Sequence, residues 1–424
     1  MSEPLKKTDD QSFLRKLGPG LITGAADDDP SGIATYSQAG AQFGLNMLWT
    51  ALITFPLMVG IQTVSARIGC VTGEGLAANI RRLFPRWVLL VVVSLLVIAN
   101  TINIAADIAA MGEALQLVIG GGQHGHAVVF GVLSLSLQVF IPYQRYVRLL
   151  KWLTLSLLAY VVVAFSVHID WIQAIRTSLA PELSFNPEFV AVVVAVFGTT
   201  ISPYLFFWQA SQEVEELRGG NGSAGLNSSP EEARRHLHRI KIDTYVGMGF
   251  SNLIAFFIIL STAVTLHVAG VTQIQTSAQA AEALRPLAGN FAFLLFSLGI
   301  IGTGMLAVPV LAGSAAYAMA DSFGWRQGLD RKLLEAKEFY GIIILATAGG
   351  VLLDFTPVDP IKALFWSAVI NGVIAVPIMA VMMLMAVRPE VMGPFVIRRS
   401  LKVLGWLSVL LMLVAVVAMF ITSW

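Results

Sequence analysis

The stretch that decides the fold is "GPGLITGAADDDPSGIATYSQAG", Gly18 to Gly40. Both flanks read as apolar helix of the kind that crosses a membrane. The centre holds three aspartates and a proline, Asp27, Asp28, Asp29 and Pro30. A carboxylate at bilayer depth costs about 3 kcal/mol even on lenient insertion scales. Proline donates no backbone hydrogen bond and breaks a helix interior. Two such costs in one place imply an interrupted helix whose carboxylates face a cavity or protein rather than lipid.

The rest of the chain fits a membrane setting. Of its 424 residues, 56% are hydrophobic and 12% charged, against about 25% charged in an ordinary soluble domain. An all-α polytopic membrane protein is expected. A net charge of +1 excludes a strongly basic surface of the nucleic-acid-binding type. The single cysteine, Cys70, allows no internal disulfide and no thiolate metal cluster. Residues 1–16 are polar, lack a secretory apolar region and read as a cytosolic tail.

Apolar runs of spanning length occur about eleven times. They lie near 17–43 (interrupted), 46–67, 88–112, 127–143, 150–168, 188–213 (interrupted), 243–267, 290–318, 339–354, 360–386 and 402–422. With the N-terminus in the cytosol, 24 of the 27 Lys and Arg fall in cytosolic segments; Arg176, Arg285 and Lys362 are the exceptions. The positive-inside rule therefore favours this orientation in the plasma membrane, with Trp424 outside. The longest polar segment, Arg218 to Lys241, begins as a Gly/Ser/Asn loop. It continues as a helix capped by Ser229 with Pro230 in its first turn. Its His236 and His238 read as solvated residues rather than metal ligands.

The sixth run carries its own interruption, "GTTISPY", Gly198 to Tyr204. Runs one and six each head a set of five, and matching breaks in two halves point to an inverted-repeat transporter. The expected units are 17–168 and 188–386, followed by an additional helix at 402–422. The plainer alternative, two proline kinks, does not account for three adjacent aspartates.

These residues resemble the NRAMP family of divalent-metal transporters over nearly the whole chain. "GPGLITGAADDDPSG" is similar to the family's first-helix pattern, which ends in Asp-Pro-Gly-Asn. "SARIGCVTG" in the second run resembles the family's second-helix ending, and "AADIAAMGEAL" its third helix. "ISPYLFF" sits where the family has Met-Pro-His. The resemblance implies a LeuT-like fold of two inverted five-helix repeats plus one helix. The chain departs from the family at several site positions. The family's metal-binding aspartate falls on Asp29, but its asparagine falls on Gly32, its methionine on Ser202 and its histidine on Tyr204. Asp107 is kept in the third helix, while an acidic residue three positions on is Ala110. The glutamine of the eighth helix falls near Met305.

A thioether favours late transition metals, whereas carboxylate, hydroxyl and carbonyl oxygens suit Mg²⁺, Ca²⁺ and Mn²⁺. Exchanging Asn for Gly and Met for Ser is expected to leave an emptier, harder site, able to hold a partly hydrated Mg²⁺. The sequence looks more like the NRAMP-related magnesium transporters than the iron and manganese branch. The expected metal ligands are Asp29 and Ser202, with Ala26, Asp28, Ser31, Gly32, Thr199 and Tyr204 around the ion. Close carboxylates resist ionising together, so Asp27 and Asp28 are assigned to supporting roles, entrance charge or a proton carrier. Asp27 has packing as an equal alternative. A phenol titrates near pH 10, so Tyr204 is a poor proton carrier and proton coupling is expected to be weak or absent.

Asn100, Asn103 and Asp107 share one helical face. Asn103, Asp107 and Asn371 are candidates for a proton or water path, with interhelical hydrogen bonding as the alternative. Asn252 is expected to serve as such glue. "QEVEE", Gln212 to Glu216, reads as a solvated helix end, with a cation-attracting exit as the alternative, and His124 and His126 as solvent residues of an external turn. The leading function is secondary transport of a hard divalent cation by a monomer, with no cofactor beyond the transported ion. The rivals are another small solute, such as bicarbonate or a monovalent cation, and a non-transporting sensor. No HExxH or GxSxG motif supports an enzyme.

Overall fold

Proline and aspartate set the first fixed points of the architecture. The computed structural model describes residues 19–141, 145, 150, 152–219 and 230–423. The helices of eight or more residues are α1 (Pro19–Asp27), α2 (Pro30–Phe43), α3 (Leu48–Thr72), α4 (Leu76–Leu83), α5 (Arg86–Ile119), α6 (Gln123–Phe140), α7 (Leu158–Ser166) and α8 (Trp171–Leu179). They continue as α9 (Pro187–Thr200), α10 (Pro203–Gly219), α11 (Pro230–Thr262), α12 (Ala292–Phe323), α13 (Lys337–Asp354), α14 (Pro360–Ala386) and α15 (Arg399–Thr422). Among the described residues there is no strand. The expected tail at 1–16, the Ser229 cap, the loop 220–229 and Trp424 lie outside the described residues.

Both expected interruptions are present. α1 gives way to α2 at Asp28 and Asp29, and α9 gives way to α10 at Ile201 and Ser202. Pro30 starts α2 and Pro203 starts α10, at the first helical position, where a missing N–H costs nothing.

Seven helical stretches among the described residues are long and apolar enough to cross a membrane. An eighth results if Thr154–Ser166 and Trp171–Leu179, bent by 115°, form one span. One of the seven, Pro30–Thr72, holds parts of two expected runs, parted by the 3-10 turn Gly44–Met47. α6 and α13, at 18 residues each, are the remaining expected runs. The helix expected from Pro230 and the seventh run are one continuous helix, α11. α8 was not anticipated. Asp170 caps it by accepting from the Gln173 amide, and it packs against α3.

The inner helices meet closely. α1 packs on α11, α5 on α12, and α9 on α14. At the last contact the backbones touch: a Cβ on Gly198 would collide with the Ala368 carbonyl and the Gly372 amide. Thr54 donates to Asn252 at 3.3 Å, joining α3 to α11, the glue expected of Asn252.

Two expectations need correction. The Gln212–Glu216 segment is not a solvated helix end. Glu213, 1% exposed, pairs with Arg239 of α11 at 2.8 Å, and Glu216 pairs with the same guanidinium. Glu215 accepts from the Tyr317 hydroxyl of α12. The reason is register: α10 ends against α11 and α12, which bring partners that a single-helix pattern does not show. His124 is also more than a solvent residue. It contacts the buried Asp354 carboxylate at 2.8 Å and stacks on Phe355.

Candidate functional site

A helix end inside a membrane exposes backbone groups that water cannot satisfy. Three of the four ends at the two interruptions have a side-chain partner. Asp29 caps α2, its Oδ1 accepting from the Gly32 amide at 2.7 Å. The Ala26 carbonyl near the end of α1 accepts from the Tyr204 hydroxyl at 2.9 Å. At the end of α9 the Ser202 hydroxyl is bonded to the carbonyls of Gly198 at 3.0 Å and Thr199 at 2.6 Å. The Tyr36 and Thr200 hydroxyls join α2 to α9 at 2.9 Å.

The second oxygen of Asp29 leads outward. Oδ2 accepts from the Asn103 side-chain amide of α5 at 3.0 Å. The Asn103 carbonyl accepts from the Ser367 hydroxyl of α14 at 2.7 Å. Ser367 lies 3.2 Å from the Ser31 hydroxyl, which donates to the Leu364 carbonyl. Asp29, Asn103, Ser367 and Ser31 thus form one buried polar network spanning α2, α5 and α14. Asn103, placed by its sequence on a proton or water path, sits at the carboxylate itself. Ser367 was missed; a serine among apolar residues of a helix has no signature of its own.

The expected emptier volume at Gly32 is not present. A Cβ there would meet the Thr199 hydroxyl and the Tyr36 ring, each at 3.3 Å, inside ordinary van der Waals range. The missing side chain has been used to bring α2 and α9 together. Asp27, Asp28, Asp29, Ser31, Thr199, Ser202 and Tyr204 are all buried, none more than 2% exposed.

The three aspartates divide between two sides of the broken helix. Asp29 faces α5. Asp27 and Asp28 share the Ser251 hydroxyl of α11, at 2.6 and 3.0 Å. Asp107, one turn beyond Asn103 on α5, is fully buried, and neither of its oxygens has a hydrogen-bond partner. Asn371 is buried on α14 one turn beyond Ser367. Asn100 donates to the Leu311 carbonyl of α12. Among the described residues no three His, Cys, Asp or Glu side chains converge as a metal-chelating cluster. Nor does any Lys, Arg or His form an ion pair there with Asp27, Asp28, Asp29 or Asp107.

Comparison with known proteins places this geometry. The divalent metal cation transporter MntH of Deinococcus radiodurans is 27% identical over 93% of this chain and 86% of its own length. MntH of Klebsiella pneumoniae strain 342 is 26% identical over 93% and 91%. A crystal structure of the Eremococcus coleocola manganese transporter superposes with a TM-score of 0.73 at 17% identity, covering 98% of this chain and 89% of that one. Mhp1, a nucleobase-cation-symport-1 family transporter, gives 0.58 at 13% identity over 96% and 92%. At such identities the likeness is one of fold, the LeuT-like arrangement with discontinuous first and sixth helices. The model of the natural resistance-associated macrophage protein-like family matches residues 20–422, and the chain belongs to that family, Nramp.

Proposed function

We propose that this protein is a secondary transporter of a hard divalent cation, Mg²⁺ and/or Mn²⁺, working by alternating access as a monomer in the plasma membrane. The observation that carries the reading is the state of Asp29. Its carboxylate is buried, held by two neutral donors, and no basic side chain pairs with it among the described residues. A buried carboxylate without a countercharge is costly, and a passing cation supplies one. Each carboxylate oxygen retains acceptor capacity beyond its one hydrogen bond. The Ala26 carbonyl and the Ser202 hydroxyl at the facing helix ends add neutral oxygen.

Carboxylate, carbonyl and hydroxyl oxygens favour hard cations. The names of the MntH relatives support a divalent metal. One charged ligand among neutral oxygens fits an ion that keeps part of its water shell, as Mg²⁺ does. In this reading Asp28, Ser31, Gly32, Thr199 and Tyr204 shape the site. The repeats are 17–168 and 188–386, with 402–422 as the added helix, the N-terminus in the cytosol and the C-terminus outside. Tyr204 already donates its proton to Ala26, which leaves Asp107, with Asp27 and Asp28, as the titratable neighbours of Asp29; Asn371 is assigned to the same route as Asp107. Coupling to protons is weak or absent, and the ion moves on its own gradient and the membrane potential.

Calorimetric titration of purified protein with Mg²⁺, Mn²⁺ and bicarbonate tests this. Metal binding that disappears in Asp29→Ala is the expected result. Bicarbonate binding without metal binding would replace the substrate class.

A further inference from the structure

A cavity of about 820 Å³ opens between α3, α11 and the start of α15, and shares no lining residue with the Asp29 interruption. Five basic side chains line it: Arg67 of α3, Arg234, His238 and Lys241 of α11, and Arg398 just before α15. No acidic side chain lines it. Among the described residues none of Arg67, Arg234, Lys241 and Arg398 forms an ion pair. Arg67 donates to the Phe395 carbonyl at 2.9 Å, yet its Nε is buried without a partner. Like charges gathered without a counterion repel one another, so the cavity is built for an anion.

Its lining is graded from one end to the other. On α3, Val59, Thr63 and Arg67 follow one face, with the charge toward the helix end. On α11 the order runs inward from Arg234 and Lys241 to Tyr245, whose ring lies 5.8 Å from the Lys241 ammonium. On the third side Arg398 leads to Leu401 and Leu404. All three walls therefore place charge at the basic end of the molecule and apolar surface deeper in. Basic pockets between membrane helices of this kind take anionic lipid headgroups, and an apolar floor has nothing to offer a free phosphate.

We propose that this cavity binds an anionic glycerophospholipid. The phosphate sits among Arg67, Arg234, Lys241 and Arg398, and the acyl chains run along Val59, Leu401 and Leu404. The lipid bridges α3, α11 and α15.

Native mass spectrometry of the full chain in detergent, titrated with phosphatidylglycerol and with phosphatidylcholine of the same chains, tests this. The wild type is expected to prefer phosphatidylglycerol by on the order of several hundredfold, since each of the four basic groups is worth about fivefold. The exposed triple variant Arg234→Gln/Lys241→Gln/Arg398→Gln, keeping about the fivefold that Arg67 supplies, loses most of that preference. Arg235→Gln/Arg399→Gln/Lys402→Gln removes three neighbouring charges outside the lining and keeps it. Equal binding of the two lipids by the wild type overturns the site. So does equal loss in both variants, which is diffuse surface charge, or displacement of phosphatidylglycerol by equimolar inorganic phosphate, which is a free-anion site.

Discussion

The hydroxyl of Tyr204 donates to the carbonyl of Ala26 at 2.9 Å, and so ties the end of α1 to the first turn of α10. The bond joins the two interruptions directly. Tyr204→Phe leaves the buried Ala26 carbonyl without its donor, a loss of about 1–3 kcal/mol. A lower melting temperature in detergent is expected; an unchanged melting curve counts against the bond. Tyr204→His puts in a group that titrates between about pH 5 and 8, so uptake is expected to become pH-dependent there.

Asn103 holds Asp29 Oδ2 from one side and Ser367 from the other. Asn103→Ala removes a hydrogen bond to a charged group, worth about 1.5–3 kcal/mol. Mg²⁺ affinity is expected to fall by about tenfold or more, read by the same titration as Asp29→Ala. Affinity equal to wild type would place the ion elsewhere.

The family's methionine and asparagine are not equally restorable. Ser202→Met brings a soft ligand to the site and is expected to shift competition uptake from Mg²⁺ toward Mn²⁺ and Cd²⁺. Gly32→Asn meets Thr199 and Tyr36 at 3.3 Å and is expected to cost about 1–3 kcal/mol of stability, measured by thermal unfolding. Recovery of soft-metal uptake by Gly32→Asn alone contradicts the packing argument.

Asp107 has no hydrogen-bond partner for either oxygen. Proteoliposomes loaded with a pH dye should show Mg²⁺ entry without matching proton entry. Asp107→Asn is expected to remove any residual pH dependence of uptake while retaining transport. A proton flux that follows the cation one for one sinks the uncoupled reading.

Arg239 neutralises Glu213 and Glu216 at the end of α10. Glu213 is 1% exposed and the guanidinium only partly so. Arg239→Ala therefore strands a buried carboxylate, at about 3 kcal/mol, the lower end of the range for such pairs. Glu213→Gln in the same chain should recover part of the lost melting temperature.

The interruptions were legible because their residue types forbid the alternative. Asp27–Pro30 and Ser202–Pro203 cannot continue a lipid-facing helix, and both became helix starts. Residue types did not separate the three aspartates; the family resemblance singled out Asp29, and Asp29 is the residue that caps α2. Asn103 was singled out by its helical face, but its bond to Asp29 was not, because a helical face gives a direction and not the neighbour it meets. Ser367 and the pairing of Glu213 with Arg239 depend on the register between helices distant in sequence. Periodicity within one helix carries no information about that register. The space at Gly32 was misjudged for a related reason: a lost side chain opens room only if the opposite helix stays where it was, and here Thr199 closes on it.

The contact of Gly198 with Gly372 has a consequence for motion. Neither residue has a side chain to interlock, and nothing smaller exists to replace either. The separation of α9 and α14 is thus set by backbone against backbone, over about a turn of each helix, Gly198 against Ala368 and Gly372 and Gly372 against Val194. A larger residue at either position would push the axes apart. Both helices belong to the second of the proposed repeats, so the pair should move as one body and carry the interruption at Ser202, one turn beyond Gly198, along with it.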